Sequence, residues 1–148
     1  MHPSMAFLKA VAKHFLTAIR HPKHLGSLFP SSSFVIQRIQ KKLPPHASFI
    51  VEYGPGTGNI TRSLLRSLSF NGMLLAIEVN QKFKPLLESI QDPRLQLRFG
   101  GVLAVLPTLI KNGEKADAVV SGIPFSFLPA EEREKIVQST RQVLRPGG

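Results

Sequence analysis

Short apolar runs alternate with amphipathic stretches along most of this chain. The apolar runs predict four strands, at about residues 49–53, 73–79, 95–99 and 117–123. Apolar residues at helical spacing predict helices at 59–68, 83–90 and 129–144, and a helix or loop at 102–111, where Pro107 interrupts the pattern. Strands that alternate with helices favour an α/β fold with a doubly wound, mainly parallel sheet.

The segment before the first strand has a different pattern. Residues 4–20 carry apolar side chains at i, i+3 and i+4 spacing, which predicts an amphipathic helix. Its apolar stripe would lie in a membrane interface or pack on the domain, and the pattern leaves both open. A second helix is predicted over Phe34–Lys42, with Phe34 pointing inward. We therefore expect a basic helical region at residues 1–45 and an α/β domain at residues 46–148.

Basic residues are concentrated at the start of the chain. Residues 1–51 contain seven Lys or Arg and no acid, whereas the other residues contain twelve Lys or Arg and nine acids. A block of this kind predicts a polyanionic partner, either RNA or an anionic membrane surface, although a solvated basic face is the simpler alternative. For a membrane, the predicted contacts are Lys9, Lys13 and Arg20.

Composition restricts the chemistry further. There is no cysteine among the 148 residues, so neither disulfides nor thiol catalysis are expected. No apolar run approaches the roughly 18 residues of a membrane span, and the N-terminus lacks the apolar core of a secretion signal. We expect a cytoplasmic protein, peripheral at the inner membrane face. His21 and His24 lack further ligands, so no metal is expected.

A glycine-rich segment follows the first predicted strand, at residues 52–58. Gly54 and Gly56 allow a sharp turn and a close approach of a ligand to the backbone. The G-x-G-x-G spacing differs from the G-x-G-x-x-G of dinucleotide sites. Glu52 before it favours a ligand with an ammonium group, and Glu78 ends the next strand, where an acid binds ribose hydroxyls. The simpler alternatives are an ordinary strand–helix turn and an acid that faces water.

These motifs resemble those of class I S-adenosylmethionine-dependent methyltransferases. The resembling residues are 51–58, 76–80, 118–124 and 144–148. Within that superfamily the chain is most similar to bacterial phospholipid N-methyltransferases, with ribosomal RNA adenine dimethyltransferases as near relatives; residues 22–32 favour the lipid enzymes. The resemblance implies S-adenosylmethionine as the cofactor and a sheet of seven strands, so we expect a domain truncated after the fourth strand.

The resemblance also implies two sets of site residues. The expected cofactor-binding residues are Glu52, Tyr53, Gly54, Pro55, Gly56, Thr57, Gly58, Glu78, Val79, Gly101, Val102 and Ser121. The expected substrate-binding residues are Phe29, Ser32, Pro124 and Phe125. No catalytic residue is assigned, because the sulfonium of this cofactor is already electrophilic and the protein need only position an amine.

Two positions depart from the pattern of the relatives. Gly101 stands where they carry an Asp that receives the adenine amino group, so adenine would be recognised by the backbone of Gly101 and Val102. Gly122 stands where the RNA enzymes carry an Asn that holds the flipped target base. Three functions therefore stay open: methylation of phospholipid amines, which we favour; N6-methylation of rRNA adenine; and a non-catalytic membrane- or RNA-binding domain with a defunct cofactor site.

Overall fold

A four-stranded parallel sheet forms the centre of the computed structural model, which describes residues 33–148. Its strands are β1 (Phe49–Tyr53), β2 (Met73–Glu78), β3 (Leu95–Phe99) and β4 (Ala118–Ser121). They lie in the order β3-β2-β1-β4, and every neighbouring pair is parallel. The predicted doubly wound α/β fold is confirmed, and the chain ends after the fourth strand and the helix that follows it. The helix predicted at residues 4–20 lies outside the described residues.

Helices connect the strands. They are α1 (Ser33–Lys42), α2 (Asn59–Ser67), α3 (Lys84–Glu88), α4 (Val102–Lys111) and α5 (Ala130–Val143), with 3-10 turns at Gln81–Phe83 and Phe125–Phe127. Residues 102–111 form one helix although Pro107 lies inside it. Phe34 is exposed, so the prediction that it points inward is wrong.

The helices cover both faces of the sheet because side chains of β1 alternate between them. Val51 and Tyr53 face a core built with α4 and α5, whereas Ile50 faces a second core built with α1 and α2. All five side chains of β1 are buried, as expected for a central strand covered on both faces. Residues Ile36–Gly148 form one compact unit.

Asp117 connects the amino ends of β1 and β4. Asp117 Oδ2 accepts hydrogen bonds from the backbone N–H groups of Ser48 and Phe49 at 2.7 and 2.8 Å, and its other oxygen pairs with Arg145. Burial alone would raise the pKa of Asp117, but these hydrogen bonds and the Arg145 charge outweigh it and lower the pKa. The start of β1, the start of β4 and the turn after α5 are therefore held at one point, which leaves the carboxyl edge to the loops.

Candidate functional site

The glycine loop forms a compact turn at the carboxyl end of β1. Gly54, Gly56 and Gly58 have φ values of 68°, 55° and 81°, a region that other residues adopt at a cost. The Gly54 N–H donates to the Ile77 carbonyl at 2.9 Å, which extends the pairing between β1 and β2 into the loop. The Gly58 N–H donates to the Pro55 carbonyl at 2.9 Å and closes the turn.

The three glycines differ in what surrounds them. A Cβ at Gly58 would lie 2.9 Å from Ile90 Cδ1, so this glycine allows α2 to pack closely on the residues after α3. A Cβ at Gly54 would lie 3.4 Å from Ile123 Cγ1. A Cβ at Gly56 would meet nothing within 4 Å. Gly56 is therefore the position at which the loop backbone borders open space that a ligand can occupy.

Glu78 joins the glycine loop to the end of β2. Its side chain is buried, with Oε2 accepting from the Gly56 N–H at 3.0 Å and Oε1 from the Asn80 N–H at 2.8 Å. A carboxylate has about four acceptor sites, so two sites remain for the hydroxyls of a ligand. Val79, the next residue, is 71% exposed and offers an apolar side chain at the same edge of the sheet.

Glu52 lies beneath α2 and is only 1% exposed. Its Oε2 accepts a hydrogen bond from Thr61 Oγ1 at 2.7 Å. Burial raises the pKa of Glu52 to about 7; the Thr61 hydrogen bond opposes this shift, and the nearby Glu78 charge adds to it. Glu52 thus titrates near neutral pH, and its contact with a ligand ammonium group stays a prediction.

Two of the predicted cofactor residues direct their side chains into the core. The Tyr53 hydroxyl lies 3.0 Å from Thr140 Oγ1, and it is the donor because Thr140 donates its own hydrogen to the Ile136 carbonyl. The Val102 side chain is buried in the same core. Contacts from Tyr53 or Val102 to a ligand would therefore come from the backbone. Pro55 is also buried, whereas Thr57 is exposed on the loop.

The loop after β4 lies against the glycine loop. The Gly122 N–H donates to the Tyr53 carbonyl at 2.8 Å, and Ser121 Oγ accepts from the Ile123 N–H at 3.3 Å. A Cβ at Gly122 would lie 2.8 Å from the Gly54 carbonyl oxygen, which belongs to the backbone and cannot move aside easily. The fold therefore favours glycine at this position, and an Asn side chain would require the two loops to separate.

Apolar side chains continue along this loop as far as Leu128. Pro124 and Phe125 are half-buried, and Phe127 at the end of the 3-10 turn is exposed. The sequence pattern gave no prediction for Phe127, because the apolar run at 123–128 is too short to predict an element. Phe29 and Ser32, the other expected substrate residues, lie outside the described residues.

Two features are absent from residues 33–148. No group of three or more His, Asp and Glu side chains in this range is arranged to hold a metal ion. No helix in this range has both the length and the apolar character needed to cross a membrane.

Comparison with known proteins agrees with this fold. Residues 50–148 match the family described as Methyltransferase domain. The chain belongs to the class I S-adenosylmethionine-dependent methyltransferases, and its cofactor is S-adenosylmethionine.

Two curated relatives act on different acceptors. The chain is 30% identical over 133 residues to an ornithine lipid N-methyltransferase of Singulisphaera acidiphila. The matched residues cover 87% of this chain and 69% of that protein. It is 34% identical over 79 residues to ribosomal RNA small subunit methyltransferase A of Phenylobacterium zucineum, over 52% of this chain and 26% of that protein. The chain thus spans about a quarter of the RNA enzyme.

Solved structures share the fold at lower identity. An O-methyltransferase from Bacillus cereus in complex with SAH has a TM-score of 0.63 and 21% identity, covering 99% of this chain and 64% of that one. The O-methyltransferase TomG from Streptomyces achromogenes, in complex with SAM, has a TM-score of 0.63 and 22% identity. The match covers 97% of this chain and 62% of TomG. The chain therefore spans less than two thirds of either structure.

The residues at the carboxyl edge fit this cofactor. Gly56 borders open space, Glu78 has unused acceptor sites, and Val79 is an exposed apolar side chain beside them. These features suit the polar chain, the ribose hydroxyls and the adenine ring of a nucleoside ligand.

Proposed function

We propose that this protein transfers a methyl group from S-adenosylmethionine to the amine of a phospholipid headgroup of the phosphatidylethanolamine type. The observation that carries the proposal is the loop after β4, in which Gly122 is followed by an apolar run at 123–128. Ile123, Phe125 and Leu128 pack partly on the core, and Phe127 is exposed. Such a loop suits an acceptor with an apolar body. The ornithine lipid N-methyltransferase, which is similar over most of this chain, supports the same class of acceptor.

The side chains need only position the methyl donor and the acceptor amine. When bound, S-adenosylmethionine supplies a methyl group on a positively charged sulfur that needs no further activation. We propose that Glu78 binds the ribose hydroxyls, that Val79 packs on the adenine ring, and that negative charge on Glu52 favours an ammonium group near the loop. The loop at 121–125 would hold the unprotonated acceptor amine in line with the methyl group, which is catalysis by orientation.

Methyl transfer into lipid is the direct test of this function. The purified protein would be incubated with methyl-labelled S-adenosylmethionine and either vesicles that contain phosphatidylethanolamine or purified rRNA. We expect label in the extracted lipid and background label in the RNA. Vesicles of phosphatidylcholine, which has no free N–H to methylate, are the matched control. Label in RNA alone, or in neither acceptor, would contradict the proposal.

Methylation of rRNA adenine is the second candidate. The similarity to the RNA enzyme and the basic N-terminal third favour it. The contact between Gly122 and the Gly54 carbonyl argues against it, because an Asn side chain at position 122 has no room. The match to the methyltransferase family argues against the third possibility, a non-catalytic domain, and a titration with S-adenosylmethionine tests it.

Replacing Gly101 tests how adenine is bound. Gly101 precedes α4 with φ −74°, and a Cβ there would meet nothing within 4 Å, so a side chain fits. We expect Gly101→Asp to tighten S-adenosylmethionine binding by about 1 kcal/mol, roughly fivefold in Kd, through one added hydrogen bond. Calorimetric titration measures this change. Gly101→Ala is the control for the added Cβ, and an aspartate that binds no better than this alanine would mean that position 101 does not contact adenine.

A further inference from the structure

The outer surfaces of α1 and α2 carry only positive charge. Five basic residues are exposed there, and we call them together the α1/α2 basic face: Arg38, Lys41, Lys42, Arg62 and Arg66. Between Ser33 and Leu87 the only acids are Glu52 and Glu78, and both are buried. No exposed carboxylate in this stretch therefore balances the positive charge of the α1/α2 basic face.

The opposite layer of helices has a balanced surface. Residues 102–148 contain six Lys or Arg and five acids, and Lys135 pairs there with Glu131 at 2.7 Å. In the part of the chain that the structure describes, none of the five residues of the α1/α2 basic face forms an ion pair. The positive field of the domain is thus directed to one side of the sheet.

The α1/α2 basic face is one packed layer. Gln40 Nε2 on α1 donates to Ser63 Oγ on α2 at 3.0 Å. Ile39 and Leu43 pack against the core cluster that contains Leu64, and that cluster rests on the sheet. The two helices that carry these charges are consequently held in a fixed arrangement.

An exposed aromatic ring follows α2. Phe70 is 91% exposed, the highest exposure among the large apolar side chains of the described residues. Its turn is held from both sides: the Gly72 N–H donates to the Ser69 carbonyl at 2.9 Å, and Arg94 Nη1 donates to the Leu68 carbonyl at 3.3 Å. The ring is thus presented to solvent by an ordered turn, shortly after Arg66 in the chain.

We propose that the α1/α2 basic face docks on an anionic phospholipid bilayer, with Phe70 entering the interface between headgroups and acyl chains. This inference rests on the lipid function proposed above and adds the orientation in which the enzyme meets its substrate. Cations beside an apolar anchor are what interfacial binding requires. Single-stranded nucleic acid would instead favour several stacking rings along a groove. α2 begins directly after the glycine loop and ends shortly before Phe70, so a bilayer along the outer surface of α2 would take up Phe70 at one end of the helix and lie beside the glycine loop at the other.

The charge contribution is tested with paired variants of the whole chain. Arg62→Gln/Arg66→Gln removes two charges from the α1/α2 basic face, and Arg133→Gln/Arg141→Gln removes two exposed charges from α5 on the opposite layer. Co-sedimentation would use phosphatidylcholine vesicles with and without phosphatidylglycerol. We expect the α2 pair to weaken binding to the anionic vesicles roughly thirtyfold and the α5 pair to weaken it little. Equal losses in both pairs would overturn the proposal.

The anchor is tested with a fluorescent reporter, which is possible because the chain contains no tryptophan. In Phe70→Trp, we expect anionic vesicles to shift the emission to the blue and brominated lipids to quench it. Val137→Trp, at an exposed apolar position of α5, is the matched control and should show neither change. Vesicle binding that leaves the Phe70→Trp emission unchanged would overturn the assignment of Phe70.

Further measurements separate a loss of docking from unfolding and from RNA binding. Thermal melts and S-adenosylmethionine titration show whether each variant remains folded, and Lys41→Gln/Lys42→Gln repeats the charge test on α1. An α2 pair that loses affinity for duplex RNA but keeps its affinity for vesicles would overturn the membrane proposal in favour of RNA. Vesicle binding is measured without the methyl donor, so a failure of lipid methylation with intact docking would contradict the proposed function alone. If the α1 pair and the α2 pair both bind vesicles as well as wild type, and lipid is still methylated, the docking surface alone would be contradicted.

Discussion

Gly56→Val is expected to abolish binding of S-adenosylmethionine while the protein stays folded. The position has φ 55° and a Cβ there would meet nothing within 4 Å, so the new side chain would occupy space next to the loop backbone and not the core. A branched side chain there would block the approach of the donor, and we expect a loss of affinity of at least about a hundredfold, near 3 kcal/mol. Calorimetric titration of the donor measures it.

Gly113→Val provides the control for backbone strain. Gly113 also has a positive φ, 69°, and a Cβ there would likewise meet nothing within 4 Å, but it lies in the turn after α4. Both variants should lose similar stability, of order 1–3 kcal/mol, because valine disfavours this backbone conformation. Only Gly56→Val should lose the donor. Wild-type donor affinity in Gly56→Val would mean that the site is assigned wrongly.

Glu52→Gln is expected to raise stability above neutral pH. Because the pKa of Glu52 rises from 4.5 to about 7 on folding, the folded protein holds a proton between these values that the unfolded chain has released. The free energy of unfolding therefore falls as pH rises through this window and levels off above it. Glutamine stays neutral and can still accept from Thr61, so the variant should gain up to about 3 kcal/mol over wild type near pH 8 and little near pH 4.

Denaturant unfolding across this pH range checks the effect, with the difference between variant and wild type isolating Glu52. Glu134→Gln, at an exposed position of α5, is the control and should change stability by less than about 0.5 kcal/mol at every pH. A pH-independent difference for Glu52→Gln would show that the Glu52 carboxyl group is not held neutral in the folded protein.

The sequence was most informative where a pattern is local. The apolar run of β1 and the stripe of α2 predicted elements whose bounds agree with the structure to within a residue or two. The strand predicted at 117–123 covers only Ala118–Ser121 in the structure, where the Asp117 side chain contacts Ser48 and Phe49 before the strand and Gly122 turns toward the glycine loop after it. Those contacts join distant parts of the chain, and no periodicity encodes them.

The candidate site was predictable to a similar extent. Motif spacing located the glycine loop and Glu78, whose contact through the Gly56 N–H followed from two strand ends at one edge of a parallel sheet. Motif spacing gave no indication that the Tyr53 side chain enters the core or that Glu52 is covered by α2, because the side of the sheet that a residue faces depends on packing. The α1/α2 basic face was equally hidden, since it is composed of two helices that only the folded chain brings together.

The Asp117 contacts have a consequence for how the domain folds. Ser48 and Asp117 are 69 positions apart, and Arg145 comes later still, yet all three meet at the amino end of β1. β1 can pair with β2 early, but its other edge stays open until β4 has been synthesised and has crossed over. Contacts between such distant residues slow folding, because a long loop must close before they are gained. During synthesis, the free backbone edge of β1 therefore remains vulnerable to non-native pairing until Asp117 contacts Ser48 and Phe49.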